Sequence, residues 1–258
     1  MLTATQVDEF KQRGFTRLVG AFSSEAAGEM VDCVWDSLAR RFGALRGDPS
    51  TWTLPHGLEL RKLKRRKPFQ AIGSGRTVAA LDALLGQGRW VPPRDWGTIL
   101  VTFPAAGGAA WTVPYTWHTD WPYRSPVGGH CGALVFAFLS SVQSGQGGTA
   151  VVEGSPHFIR GFVDKRPRVA EEKMKVTRQS LMNSDPWLKA LGSTEDKNDR
   201  VEHFMENSSM IAETPVRVME LTGEPGDVIF GHPWLLHSVS SNCGVEPRFM
   251  RVQRIGST

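Results

Sequence analysis

Cysteine is scarce in this chain: Cys33, Cys131 and Cys243 are its only three, widely spaced and without a Cys-x-x-Cys pair. That excludes a disulfide framework and a zinc site built on paired thiols, and it suits a reducing compartment. No apolar run approaches the roughly 18 residues of a spanning helix, and the N-terminus lacks a basic-then-apolar leader pattern. A cytoplasmic protein with no membrane span is expected. No internal repeat or low-complexity tract stands out, and neither sign of charge dominates, with 30 Lys and Arg against 26 Asp and Glu. The net charge of +4 and pI near 9.1 leave room for an anionic partner. What is present is ordinary for a globular protein, at 40% hydrophobic and 22% charged residues. A length of 258 residues fits one large domain, residues 1–258.

The chain opens with helical signals. Thr5-Gln6-Val7-Asp8 places a capping hydroxyl three residues before an acid, and Gly14 supplies a stop. Phe15 to Val19 reads as a strand. Ser23 or Ser24 then caps a second helix, in which Met30, Val31, Val34, Trp35, Leu38 and Phe42 recur at helical spacing before Gly43. That stripe is core, and it removes Met30 and Trp35 from consideration as site residues. Residues 44–75 show no period and predict a long irregular crossing of the kind that serves as a lid or binding loop. It contains the basic run Arg61-Lys62-Leu63-Lys64-Arg65-Arg66-Lys67, for which a solvated face is the expected role. Thr77 to Leu85 reads as a short helix.

From Trp96 onward the texture changes to short β-rich runs. The expected strands are 98–103, 112–118, 133–139, 149–153, 216–221, 227–230, 235–240 and 249–255, and eight such strands predict a jelly roll. The fold class is therefore mainly β with flanking helices, a cupin-like double-stranded β-helix. Its parts are an N-terminal helical region 1–95, a barrel core 96–157 and 215–258, and an inserted segment 158–214 rich in charge.

Within that pattern lies Trp117-His118-Thr119-Asp120. Side chains two apart on a strand share a face, so His118 and Asp120 can offer an imidazole and a carboxylate to one metal ion. A second histidine would complete a set that leaves open positions for O2 and an organic acid on non-haem Fe(II). Of the seven histidines, His56, His118, His130, His157, His203, His232 and His237, the best placed is His237. A Gly226-Asp227 turn opens a short apolar strand, His232-Pro233 forms a loop, and a second apolar run ends on the histidine. Arg248 follows eleven residues later, after a turn through Asn242-Cys243-Gly244, where its planar guanidinium can fork onto a carboxylate. A lone His-x-Asp is common by chance; its context gives it weight.

These features resemble the phytanoyl-CoA dioxygenase-like branch of the Fe(II)/2-oxoglutarate oxygenases. The resemblance rests on residues 117–120, on Gly147-Gly148-Thr149-Ala150-Val151-Val152-Glu153-Gly154-Ser155-Pro156-His157, on the run from Gly226 to His237, and on Pro247-Arg248. Phe10-Lys11-Gln12-Arg13-Gly14-Phe15 is similar to the family's opening helix and turn. Pro156 separates the serine from the histidine, a departure that weakens a role for His157. The anchors leave 45–95 and 158–214 thinly matched.

The resemblance implies Fe(II) held by His118, Asp120 and His237, with 2-oxoglutarate and O2 as co-substrates. Arg248 would take the distal carboxylate of 2-oxoglutarate, Thr149 would add a hydroxyl, and Phe136 would border that site. An ordinary strand threonine is an equal reading of Thr149. Arg251 should face away from Arg248, which by default makes it a surface arginine. Tyr115, Trp117, Trp121, Tyr123 and Trp234 could line a substrate pocket, and core packing competes equally for each. The implied reaction hydroxylates or desaturates a small organic molecule, as in secondary metabolism, and releases succinate and CO2. Because related halogenases replace the carboxylate ligand with a small residue, Asp120 favours oxygen chemistry. Two rivals remain: a nucleic-acid- or protein-directed oxygenase, suggested by the 61–67 run, and a non-catalytic cupin-like binding protein. The basic run lacks the interleaved aromatics of a single-strand platform, so nucleic acid is not the expected partner.

Overall fold

The computed structural model describes residues 1–53, 60–105, 110–120, 132–166, 171–195 and 199–258. Helix α1 (Ala4–Arg13) is capped by Thr3, not Thr5: Thr3 Oγ1 accepts from the Gln6 backbone while the Gln6 side chain accepts from the Thr3 backbone. Glutamine thus fills the box position that the sequence offered to an acid. Gly14, at φ 87°, ends the helix and leads into β1 (Phe15–Leu18). Ser23 caps α2 (Ser24–Phe42), whose predicted stripe from Met30 to Leu38 is buried. The crossing that follows is irregular but packed, with short 3-10 turns at Pro49–Thr51, Arg61–Leu63 and Lys67–Gly73 that bury Leu63, Phe69 and Ile72. Helix α3 (Gly75–Leu85) closes this N-terminal layer.

Two antiparallel sheets form the centre. The remaining strands are β2 (Thr98–Thr102), β3 (Ala133–Phe138), β4 (Ala150–Glu153), β5 (Ser209–Ile211), β6 (Thr214–Glu220), β7 (Val228–Gly231), β8 (His237–Ser238) and β9 (Arg248–Ile255). One sheet has the order β1-β7-β3-β9-β2 and the other β5-β6-β4-β8. The period of two decides the layering. On β3, Ala133, Val135 and Ala137 join the core shared with α1–α3, while Leu134, Phe136 and Phe138 point between the sheets. On β4, Ala150 and Val152 pack outward, against a third cluster that includes Phe158 and Ile159 of α4 (Ser155–Asp164), Leu181 of α5 (Met174–Met182) and Leu188 of α6 (Pro186–Leu191). A strand buried on both faces has no polar alternation, hence the unbroken Ala-Leu-Val-Phe-Ala-Phe of β3. Among the described residues no helix is long and apolar enough to cross a membrane.

Three expectations change. The strand expected over 112–118 is reduced to a single bridge, His118 to His237. Pro114 has no N–H to give a ladder, and its carbonyl is taken by the Trp117 indole. The segment 158–214, expected to hold helices, also carries a strand, since β5 pairs with β6.

Arg251, expected at the surface, is fully buried. Its parity was read correctly, but the opposite face of β9 is covered by the crossing segment. There its guanidinium lies 4.8 Å from the Phe69 ring centroid, donates to the carbonyls of Gly97 and Lys64, and sits 3.8 Å from Asp95. Burial pushes its pKa down to about 10, opposed by Asp95, so it remains charged at neutral pH. Gly97 has φ 96°, and a Cβ there would collide with the Val252 carbonyl, so the backbone approaches β9 closely where Arg251 meets it. Arg251→Met should cost roughly 1–3 kcal/mol by stranding buried carbonyls. A urea midpoint equal to that of wild type would contradict this account of the crossing.

Candidate metal centre

His237 is delivered by backbone constraints on both sides. The Gly14 carbonyl accepts from His232 N at 2.8 Å, and the His232 carbonyl accepts from Leu235 N at 2.8 Å, which closes the turn. Ser155 Oγ accepts from Leu236 N at 2.9 Å. His237 then pairs with Val151 of β4 on one side and exchanges both backbone hydrogen bonds with His118 on the other, at 2.9 and 3.0 Å. The ring Nδ1 of His237 lies 2.8 Å from the Leu235 carbonyl, so Nδ1 carries the proton and Nε2 is left as the free lone pair.

That lone pair faces a cluster. One ligand atom each from His118, Asp120 and His237 lie within 4.8 Å of one another. Asp120 Oδ1 is 3.8 Å from His118 Nε2 and 4.0 Å from His237 Nε2, and the imidazole centroids are 4.3 Å apart. Burial pushes the His118 pKa down to about 4, with the neighbouring His237 adding to the effect and Asp120 opposing it. Burial likewise lowers His237. For Asp120, burial would raise the carboxyl, but the hydrogen bond from Arg254 and the charges of His237 and Arg254 hold it below its ordinary value. Two neutral imidazoles and an ionised carboxylate are the protonation states that a divalent cation requires.

The cluster opens into a cavity of about 400 Å³, lined by Leu100, Phe136, Thr149, Ser238, Val252 and Arg254 among others. Phe136 meets the His237 ring edge-on at 5.9 Å between centroids. Arg248 shares the inward face of β9 with Met250, Val252 and Arg254, because these alternate with Phe249 and Arg251. It is buried deep, donating to Thr102 Oγ1 and to Met250 Sδ, while its Nε has no hydrogen-bond partner. Burial pushes its pKa down to about 10, opposed by the Glu220 carboxylate. Glu220 is itself raised by burial, against the Gly145 and Gly148 N–H groups that it accepts at 2.7 and 2.8 Å.

The aromatic candidates separate. Trp117 and Trp234 are buried in the cluster outside the second sheet, and the cavity is lined by other residues. Tyr115 is half-exposed and lies under the Arg200 guanidinium at 4.1 Å. Trp121 and Tyr123, with His56, His130 and Cys131, lie outside the described residues. His157 turns away to the Lys11 carbonyl at 2.8 Å, a consequence of its place in the first turn of α4. Sequence reasoning missed Arg254, Thr102, Glu220, Leu100 and Val252. For Arg254 the signal was available, since it stands six residues from Arg248 on one strand and so on the same face.

His232 performs a structural task in this turn. Its Nδ1 accepts from Trp234 N at 3.0 Å, and burial pushes its pKa down to about 4, with Arg160 and His157 contributing. The unfolded chain takes up this proton near pH 6.5, while the folded chain refuses it until about pH 4. Stability is therefore complete above the unfolded value and is lost as pH falls through that window. His232→Asn keeps an acceptor without a titrating ring. Thermal melts from pH 7 to 4 should show wild type losing roughly 2 kcal/mol more than the variant; parallel losses would contradict the assignment.

No protein-family model matches the chain, and no curated protein matches it in sequence. Solved structures do match. The chain is similar to the non-heme alpha ketoglutarate dependent epimerase SnoN from nogalamycin biosynthesis, with a TM-score of 0.53 and 14% identity over 98% of this chain and 82% of SnoN. It is similar to AviO1 from Streptomyces viridochromogenes Tue57, with a TM-score of 0.54 and 17% identity over 99% of this chain and 96% of AviO1. The non-heme monooxygenase ThoJ, solved as a nickel complex, matches at 0.52 and 15% identity over 98% of this chain and 77% of ThoJ. SnoN has also been solved with Fe3+, alpha ketoglutarate and nogalamycin RO. The chain has the fold that these proteins share.

Proposed function

We propose that residues 1–258 form a single-domain Fe(II)- and 2-oxoglutarate-dependent dioxygenase that hydroxylates or desaturates a small organic molecule, in the manner of secondary metabolism. The two sheets would be the halves of a double-stranded β-helix, a reading supported by their strand orders. The observation that carries the proposal is the convergence of His118, Asp120 and His237 on one point in a cavity, with a buried, incompletely satisfied arginine on the strand that also supplies the cavity-lining Val252 and Arg254. A member of the phytanoyl-CoA dioxygenase-like branch would look like this.

The donor set fits the metal. Two imidazole nitrogens and one carboxylate oxygen suit ferrous iron and leave positions for other ligands. Arg248 fits 2-oxoglutarate: a fully buried guanidinium with an orphaned Nε lacks the carboxylate that would satisfy it. Thr149, on the cavity wall, would add a hydroxyl. When bound, iron and 2-oxoglutarate together with O2 supply an oxidant able to take hydrogen from an unactivated carbon, with succinate and CO2 released.

The chain's own residues do the rest. Leu235 fixes the His237 tautomer. Arg254 donates to Asp120 Oδ1 at 2.9 Å, the same oxygen that lies 3.8 and 4.0 Å from the two histidine Nε2 atoms, and so orients it. Leu100, Phe136 and Val252 exclude water from the reacting centre. With Fe(II) and O2, the protein should convert 2-oxoglutarate to succinate slowly alone and faster with its substrate. Tight binding of both without any succinate would instead identify a binding protein.

A further inference from the structure

Two cations, drawn from separate parts of the chain, meet at this cavity. Lys64, from the basic run, reaches the rim: its Nζ donates to Thr98 Oγ1 at 3.1 Å, and Thr98 lines the cavity. Lys62, Arg65, Arg66 and Lys67 are exposed, whereas Lys64 is bonded to a residue of the cavity lining. Arg254 lines the cavity directly, and its side chain is 60% exposed although it touches Asp120. The wall between them is apolar, formed by Leu100, Val252 and the exposed Val239.

We infer that the substrate carries an anionic oxygen group, a carboxylate or a phosphate, on an apolar body, and that Arg254 and Lys64 receive that group at the cavity mouth. This deepens the proposed function and rests on it for the identity of the centre. A guanidinium carries five N–H donors, so the contact with Asp120 leaves donor capacity for a second anion. Loading a divalent cation draws Asp120 charge toward the metal and strengthens the pull of Arg254 on an incoming anion. Lys64 is a mobile point charge that suits either anion, whereas the fork of Arg254 orients it. The apolar strip then directs the body of the molecule inward toward the histidines.

The test uses the whole protein loaded with Mn(II) and 2-oxoglutarate, and three probes of equal chain length: hexyl phosphate, hexanoate and hexanol. Calorimetry gives affinity, and Mn(II)-induced relaxation of probe nuclei reports proximity to the triad. At least one anion should bind roughly tenfold or more tightly than hexanol, with its chain relaxed by the metal, and Arg254→Gln or Lys64→Gln should weaken it roughly tenfold. Lys62→Gln, which removes the same charge from an exposed position, should leave it unchanged. Equal affinity for all three probes, or equal losses in Lys62→Gln and Lys64→Gln, would overturn the inference while leaving the metal site standing. Failure of Mn(II) to bind would sink the proposed function instead. The same calorimetry on metal-free protein, with the same variants, would then still decide whether the anion site exists.

Discussion

Asp120→Ala should abolish Fe(II)-dependent consumption of 2-oxoglutarate. Removing one of three protein ligands costs more than the roughly 10–100-fold typical of losing a hydrogen-bonding partner behind a ligand, and here two effects compound. The imidazoles of His118 and His237 lose the anion that lies 3.8 and 4.0 Å from their Nε2 atoms. Arg254, at 2.9 Å from Asp120, loses its counter-charge and leaves a net cation facing an incoming metal. Metal affinity, followed by Co(II) titration, should fall by more than about a hundredfold, with His118→Ala and His237→Ala behaving alike. Because Asp120 lines the cavity and its ion-pair partner Arg254 is largely exposed, thermal stability should change little. Full turnover in Asp120→Ala without added halide would defeat the assignment.

Arg248→Lys should separate metal binding from 2-oxoglutarate binding. The guanidinium sits between Thr102, Met250 and the charge of Glu220 with Nε unpartnered. A lysine keeps the charge but loses the planar pair of donors. Loss of one charge-assisted hydrogen bond, about 1.5–3 kcal/mol, corresponds to a rise of roughly 10–100-fold in the 2-oxoglutarate concentration needed for half-maximal rate. Co(II) affinity should stay near that of wild type. If 2-oxoglutarate dependence were unmoved, the co-substrate would have to be held elsewhere, with Arg254 the first alternative.

What the sequence disclosed followed from local rules. The stripe of α2, the Gly14 and Gly43 stops and most central strands depend on period and turn chemistry, and these survive into the fold. The His118, Asp120 and His237 cluster was legible because its spacing is tied to strand geometry, even though the strand before His118 dissolves at Pro114. What was not legible depends on distant segments. Arg251 is buried only because residues 60–73 fold over β9, which nothing in the pattern around 251 announces. Trp117 and Trp234 look like pocket residues by proximity in sequence, yet α4–α6 of the charged segment cover them. Lys64 belongs to a run whose other described basic side chains are solvated, and only the register of β2 brings Thr98 beneath it.

The most direct measurement is an anaerobic titration of the metal-free protein with Fe(II) and then 2-oxoglutarate, following the visible charge-transfer absorption of the iron–2-oxo acid chelate. The account predicts a band that saturates at one iron and one 2-oxoglutarate per chain, is lost in Asp120→Ala, needs more 2-oxoglutarate in Arg248→Lys, and is discharged by O2 with formation of succinate. Saturable iron binding that survives Asp120→Ala, or a chelate that never forms in wild type, would contradict it.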